Sequence, residues 1–178
     1  YPLPNWVFVD ADAGDGPVVA TEKVPADPAA ISSAVCFGMP SREPAFWRED
    51  IGRAKAALVP GQLLIVSVVA SPKAGWSAAQ VADDYAQCAA WAVEAGADVV
   101  EANYSCPNVC SAEGQVYTDV ALSKMVTETI RSGMGGLPLL LKIGVFPNAP
   151  LQRDFLRTVS NCAHGITLVN GIAREVRH

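Results

Sequence analysis

The sequence predicts an α/β chain built on a parallel sheet, and three observations carry that reading. Apolar, strand-sized runs open at residues 63, 98, 137 and 165, which lie 35, 39 and 28 residues apart. That is the spacing of βα units, whose parallel strands need a crossover helix between them. The stretches between the runs show helical apolar periodicity and recognisable caps. The runs themselves are continuous rather than alternating, as in Leu63–Ala70, the pattern of a strand covered on both faces.

Taken in order, residues 1–30 stand apart from the rest. Asp10–Pro17 is a turn-forming cluster without an apolar period, and Val24–Pro28 is rich in proline. The segment therefore reads as a loop-rich entry, with a short strand at Val18–Ala20. After the Leu63–Ala70 run, Ser77-Ala-Ala-Gln80 forms a capping box, and Trp76 with Val81 occupies the two positions of a hydrophobic staple. Val81, Tyr85, Cys88, Trp91 and Ala95 recur at three- and four-residue steps, an apolar stripe, and Gly96 is placed to close the helix. Asp98–Asn103 is the next strand. Asp119 caps a helix through about Ser132, and Gly133–Gly136 leads into a strand at Leu137–Ile143. A helix over Leu151–Asn161 precedes the fourth strand, Gly165–Asn170. Parallel neighbours of this kind are joined by right-handed crossovers. A closed barrel of eight such units takes about 250 residues, so residues 1–178 read as one domain about two or three units short of it, with an open sheet as the alternative.

Composition narrows the function. Hydrophobic residues make up 51% of the chain and charged residues 17%, enough apolar material for a real core. The net charge of −5 argues against a nucleic-acid surface. No apolar run reaches the ~18–20 residues that cross a bilayer, and Tyr1-Pro-Leu-Pro-Asn5 does not open a signal peptide. Five cysteines without a CxxC pair read as reduced thiols in a cytoplasmic protein. No metal site is expected, because His164, His178 and the Cys106–Cys110 spacing do not make a closed set of four ligands.

In either architecture ligands gather at the carboxyl ends of the strands. The Asp98–Asn103 strand runs into Asn103-Tyr-Ser-Cys-Pro-Asn108, a packet of polar groups directly past an apolar run. Asn103 and Asn108 carry amides that both donate and accept, which suits a heterocycle with alternating N–H and C=O groups. Cys106 sits between them, before a proline, and an ordinary turn with an inert thiol is the competing reading. Lys142 interrupts an otherwise apolar strand near its carboxyl end. A sheltered ammonium needs a partner, either an anionic ligand or a carboxylate such as Glu101 on the neighbouring strand. Val169-Asn170-Gly171 brings a further amide to the same rim. The glycines at 133, 135 and 136 precede a strand and so form no phosphate cradle; Lys124, Arg153 and Arg157 read as solvated helix faces.

These residues resemble a known family. Glu101-Ala-Asn-Tyr-Ser-Cys-Pro-Asn108 is similar to the motif of the dihydroorotate dehydrogenases, FMN-dependent (β/α)8 barrels of pyrimidine synthesis. Phe37-Gly-Met-Pro-Ser41, Pro138–Ile143 and Leu168-Val-Asn-Gly-Ile172 follow the family's order, so the resemblance covers roughly residues 31 to 178. It implies a flavin oxidoreductase in which Cys106 takes the proton from substrate C5 while C6 gives a hydride to FMN. It implies that Asn103, Asn108 and Asn170 hold the pyrimidine, and that Asn103, Lys142 and Val169 meet the flavin.

The sequence also departs from the family. Val35 stands where a fourth substrate amide is usual, so a related dihydropyrimidine is an alternative substrate. Asn108 separates the chain from dihydrouracil-type relatives, which end the motif in His. Lys23, in a Pro-rich loop, is a poor counterpart for the family's amino-terminal flavin lysine. The glycine-rich segments that hold the FMN phosphate would fall beyond His178, which predicts an incomplete barrel. A non-catalytic ligand-binding or interaction domain derived from such a barrel is the second reading, and a homodimer stays open.

Overall fold

A computed structural model describes residues 5–10, 16–35, 42–106, 115–169, 171–172 and 174–177. In chain order these form β1 (Trp6–Asp10), β2 (Val18–Thr21), β3 (Ser33–Val35), α1 (Pro44–Ala56), β4 (Ile65–Val68), α2 (Ala78–Glu94), β5 (Val99–Asn103), α3 (Val120–Gly133), β6 (Leu139–Lys142), α4 (Ala149–Val159), β7 (Gly165–Thr167) and β8 (Val176–Arg177). The chain divides into two compact units, one of Tyr1–Ser41 with Ile172–His178 and one of Arg42–Gly171.

The first unit is a mixed sheet in the order β3-β1-β2-β8. β1 runs antiparallel to β2 and β3, while β2 lies parallel to β8. The strand expected at Val18–Ala20 is therefore present, as β2. Irregular backbone is not all that residues 1–30 contain, since β1 pairs Val9 with Ala20 and Val7 with Ala34. Its apolar run, Trp6-Val-Phe-Val9, is too brief to stand out against the turn residues around it.

The second unit holds the predicted parallel sheet, in the order β4-β5-β6-β7. Each strand lies beside its predecessor and runs parallel to it. Successive helices pack as one layer, α2 against α3 and α3 against α4, and α2 also packs on β4 and β5. A sheet wound in one direction puts its crossover helices on one face, whereas a doubly wound sheet reverses and covers both. Val68, Val100, Ala102, Leu139 and Leu141 are buried beneath the helices. The residues between them face the other way: Ile65 is 51% exposed, Ser67 is exposed, and Val99, Glu101, Leu140 and Lys142 are partly so. Coverage on both faces, expected from the apolar runs, is thus corrected to helical coverage on one.

The helix ends follow their sequence signals. Ser77 Oγ accepts from Gln80 N at 3.3 Å and Gln80 Oε1 accepts from Ser77 N at 2.9 Å, the two halves of the capping box. At the other end Gly96 takes φ +109°, and the amides of Gly96 and Ala97 reach the carbonyls of Val93 and Ala92 at 3.0 Å. That closure needs a left-handed residue, which glycine adopts without a Cβ penalty. Asp119 and Asn148 cap α3 and α4 through Leu122 N at 3.0 Å and Leu151 N at 2.9 Å. The buried stripe of α2 is Val81, Ala82, Tyr85, Ala89 and Ala92, with Cys88 and Trp91 only half-buried. Small alanines at its centre let α3 approach closely, so the contact line runs beside the larger residues that the periodicity singled out.

Candidate functional site

β5 and β6 end side by side, and their register pairs Asn103 with Lys142 on the face the helices leave uncovered. Thr167 of β7 pairs with Lys142 from the other side. An amide, an ammonium and a hydroxyl therefore form one row across three neighbouring strands at their carboxyl ends. The backbone there is pinned from behind. Tyr104 N donates to Lys142 O at 2.9 Å, and Tyr85 Oη donates to Asn103 O at 2.8 Å. Alternation along β5 sends Tyr104 into the core, where its ring meets Tyr85 edge to face at 5.7 Å, and leaves Asn103 on the opposite face. Burial pushes the Tyr104 hydroxyl well above the ordinary tyrosine range, so it stays neutral.

Asn103 is 7% exposed. Its Oδ1 accepts from Ser105 N at 3.2 Å and Ser105 Oγ at 3.1 Å, which turns the amide NH2 away from its own turn. That nitrogen makes no hydrogen bond among the described residues, so its two donors are left for a guest.

Lys142 is half-buried, and among the described residues its ammonium has no ion pair and no side-chain hydrogen bond. Glu101, the structural partner weighed from the sequence, lies one row below and is engaged elsewhere: its Oε1 accepts from Ser67 Oγ of β4 at 2.9 Å. Among the described residues, then, Glu101 is not the counter-charge of Lys142. A cation in this setting suits an anionic or electron-accepting guest.

Cys106 follows three residues after the end of β5 and is buried at 5% exposure against the core. Like Cys88 and Cys162, it forms no disulfide bond. Val169, two residues past β7, is 57% exposed at the same end of the sheet. Asn108 and Asn170 lie outside the described residues. Lys124 is exposed and paired with Glu128 on its own helix, the solvated face read from the sequence. Sequence reasoning did not single out Thr167, Ser67 or Tyr85 as site groups. The strand register that aligns the first two with Lys142 and Glu101 has no signal in a single sequence, and Tyr85 reads there as an ordinary core residue.

Among the described residues this rim therefore holds a cation without a protein partner, Lys142, an amide donor in register with it, Asn103, and the small residues Gly144 and Thr167. No family model matches the chain. It is similar to a protein named dihydroorotate dehydrogenase from Dictyostelium discoideum, 31% identical over 188 aligned positions that include 99% of this chain and 50% of that protein. The chain spans about half the length of that curated relative.

Proposed function

We propose that the chain belongs to the dihydroorotate dehydrogenases and contributes one partial (β/α) barrel domain that binds FMN and oxidises dihydroorotate or a related dihydropyrimidine. The observation that carries the reading is Lys142, an ammonium without a counter-charge among the described residues, paired in register with Asn103 at the strand ends. The identity with the Dictyostelium protein along nearly the whole chain supports the family, and the one-directional strand order is the order a barrel uses.

FMN, when bound, supplies the acceptor for a hydride from the substrate. The chain's own residues do the rest. Lys142 would hold a positive charge beside the flavin ring, and Asn103 would offer its NH2 as a hydrogen-bond donor there. Val169, exposed just past β7, would also contact the flavin. Asn108 and Asn170 orient the pyrimidine through paired donors and acceptors. Cys106, as thiolate, takes the C5 proton, and the closed core behind it keeps water from that proton. Val35 offers no amide, so a dihydropyrimidine related to dihydroorotate remains the second substrate.

Anaerobic mixing of the FMN-loaded protein with dihydroorotate tests the reading. Absorbance of the oxidised flavin falls, and Cys106→Ala slows that fall at least about a hundredfold, the lower range for loss of a general base. An unchanged rate in the variant removes Cys106 from that role.

A further inference from the structure

The helix-free face holds one arrangement that the proposed chemistry does not use. Glu101 and Lys142 sit on adjacent strands, two residues apart along the sheet, since Glu101 pairs with Leu140 and Lys142 with Asn103. Strands lie ~4.8 Å apart and rise ~3.3 Å per residue, so the two Cα atoms are ~8 Å apart on one face. Two long side chains span that gap with ease. In a half-buried setting the pair would be expected to close into an ion pair. Instead the carboxylate turns to the other side. Ser67, which pairs with Glu101 across β4 and β5, donates its hydroxyl to Glu101 Oε1 at 2.9 Å. Leu140 and Gly165 complete that row, so no second cation lies along it.

We propose that Ser67 is a positioning residue that holds Glu101 toward β4 and so keeps Lys142 uncommitted for an anionic guest. The inference rests on the reading of Lys142 as a flavin contact, but its first step concerns only three side chains of this protein. Ser67 donates one hydrogen bond to the carboxylate, and a bond to a charged acceptor is among the stronger kinds. Without it, the attractive partner that the register sets nearest to Glu101 among the described residues is the ammonium of Lys142. Pairing would place a protein carboxylate where the ring's negative edge is to lie.

Two readouts keep the two claims apart. The first needs no flavin: amine acylation with acetic anhydride, with Lys142 quantified by peptide mass spectrometry. Ser67→Ala slows labelling of Lys142 at least threefold against the parent, while Lys124 is unchanged. Ser67→Ala/Glu101→Gln restores the parent rate, because the amide cannot neutralise the ammonium. Ser67 is exposed, so its truncation leaves the core intact. Equal labelling of Lys142 in the parent and Ser67→Ala overturns the proposal, as does slowed labelling that Glu101→Gln fails to rescue. The second readout is FMN titration of the same proteins, in which Ser67→Ala weakens binding and the double variant recovers it. Labelling that behaves as stated with FMN binding indifferent to both variants upholds the Ser67 switch and overturns Lys142 as a flavin contact.

Discussion

The buried hydroxyls of Tyr104 and Thr127 offer a sharp test of how the site is held from behind. Their oxygens lie 2.8 Å apart, and both side chains are fully buried. Thr127 Oγ1 is also 2.6 Å from the Ser123 carbonyl, which can only accept. The single proton of Thr127 is therefore committed to Ser123, and Tyr104 must be the donor in the shared bond. The consequences of removing each partner differ. Tyr104→Phe deletes the donor and leaves Thr127 still bonded to Ser123, which costs about 1 kcal/mol. Thr127→Val is close in shape but strands the Tyr104 hydroxyl without an acceptor, which costs about 2–3 kcal/mol. In the double variant nothing is stranded, so it is no less stable than Thr127→Val alone. Urea unfolding followed by circular dichroism, on all four proteins, gives the cycle directly. A coupling of at least about 1 kcal/mol is expected. Additive single losses would show that the two hydroxyls do not share a bond, and the argument for the backing of β5 would fail with it.

Three further outcomes follow from particular contacts. A Cβ at Gly144 would stand 2.7 Å from Tyr117 Oη and 3.0 Å from Cζ, whereas one at Gly165 would meet only Leu140 Cδ2 at 2.9 Å. Gly144→Ala should therefore cost about 1–3 kcal/mol by overpacking, more than Gly165→Ala, where a flexible side-chain end on the open face can yield; equal losses in denaturant titrations would contradict this. The Lys55 hydrogen bond at 2.5 Å, with a second from Leu64 N, holds the Asp98 carboxyl below the usual carboxylate range. Its contribution is present above about pH 4 and is lost as pH falls through the lowered value, so Asp98→Asn should lower the melting temperature at pH 7 and lower it progressively less as the pH falls below about 4. Burial, with Asp84 nearby, pushes the Cys88 thiol up to about 11 from 9.0. About a hundredfold less thiolate, offset about tenfold by its greater nucleophilicity, makes Cys88 label at least about tenfold slower with iodoacetamide at pH 7.5 than an ordinary thiol; matching rates would refute it.

Much of the second unit was legible because its signals are local. The capping box at Ser77, the Asp119 cap and the closing glycine at 96 each act within one turn of helix, and the four apolar runs mark all four parallel strands. The strands came out shorter than those runs: Leu63 is 68% exposed and outside β4, which begins at Ile65. Helix α1 passed unnoticed because it buries no residue and Glu43 makes no side-chain cap, which leaves Pro44 in its first turn without an apolar period to support it. β1 and β3 are held by partners distant in sequence, and β8 by two residues only. The site divides in the same way. Cys106 and Lys142 stood out as chemistry in unusual sequence surroundings. That Glu101 would bond to Ser67 and not to Lys142 depends on register across three strands, which no local pattern encodes.

The account stands or falls on whether the row of Asn103, Lys142 and Thr167 seats a flavin. Titrating FMN into the purified protein, followed by quenching of flavin fluorescence, measures this most directly. The expected result is saturable binding by the parent, weakened at least about tenfold in Lys142→Ala, or about 1.4 kcal/mol, and unchanged in Lys124→Ala. Indistinguishable titrations for the parent and Lys142→Ala, or no saturable quenching by the parent, would contradict it.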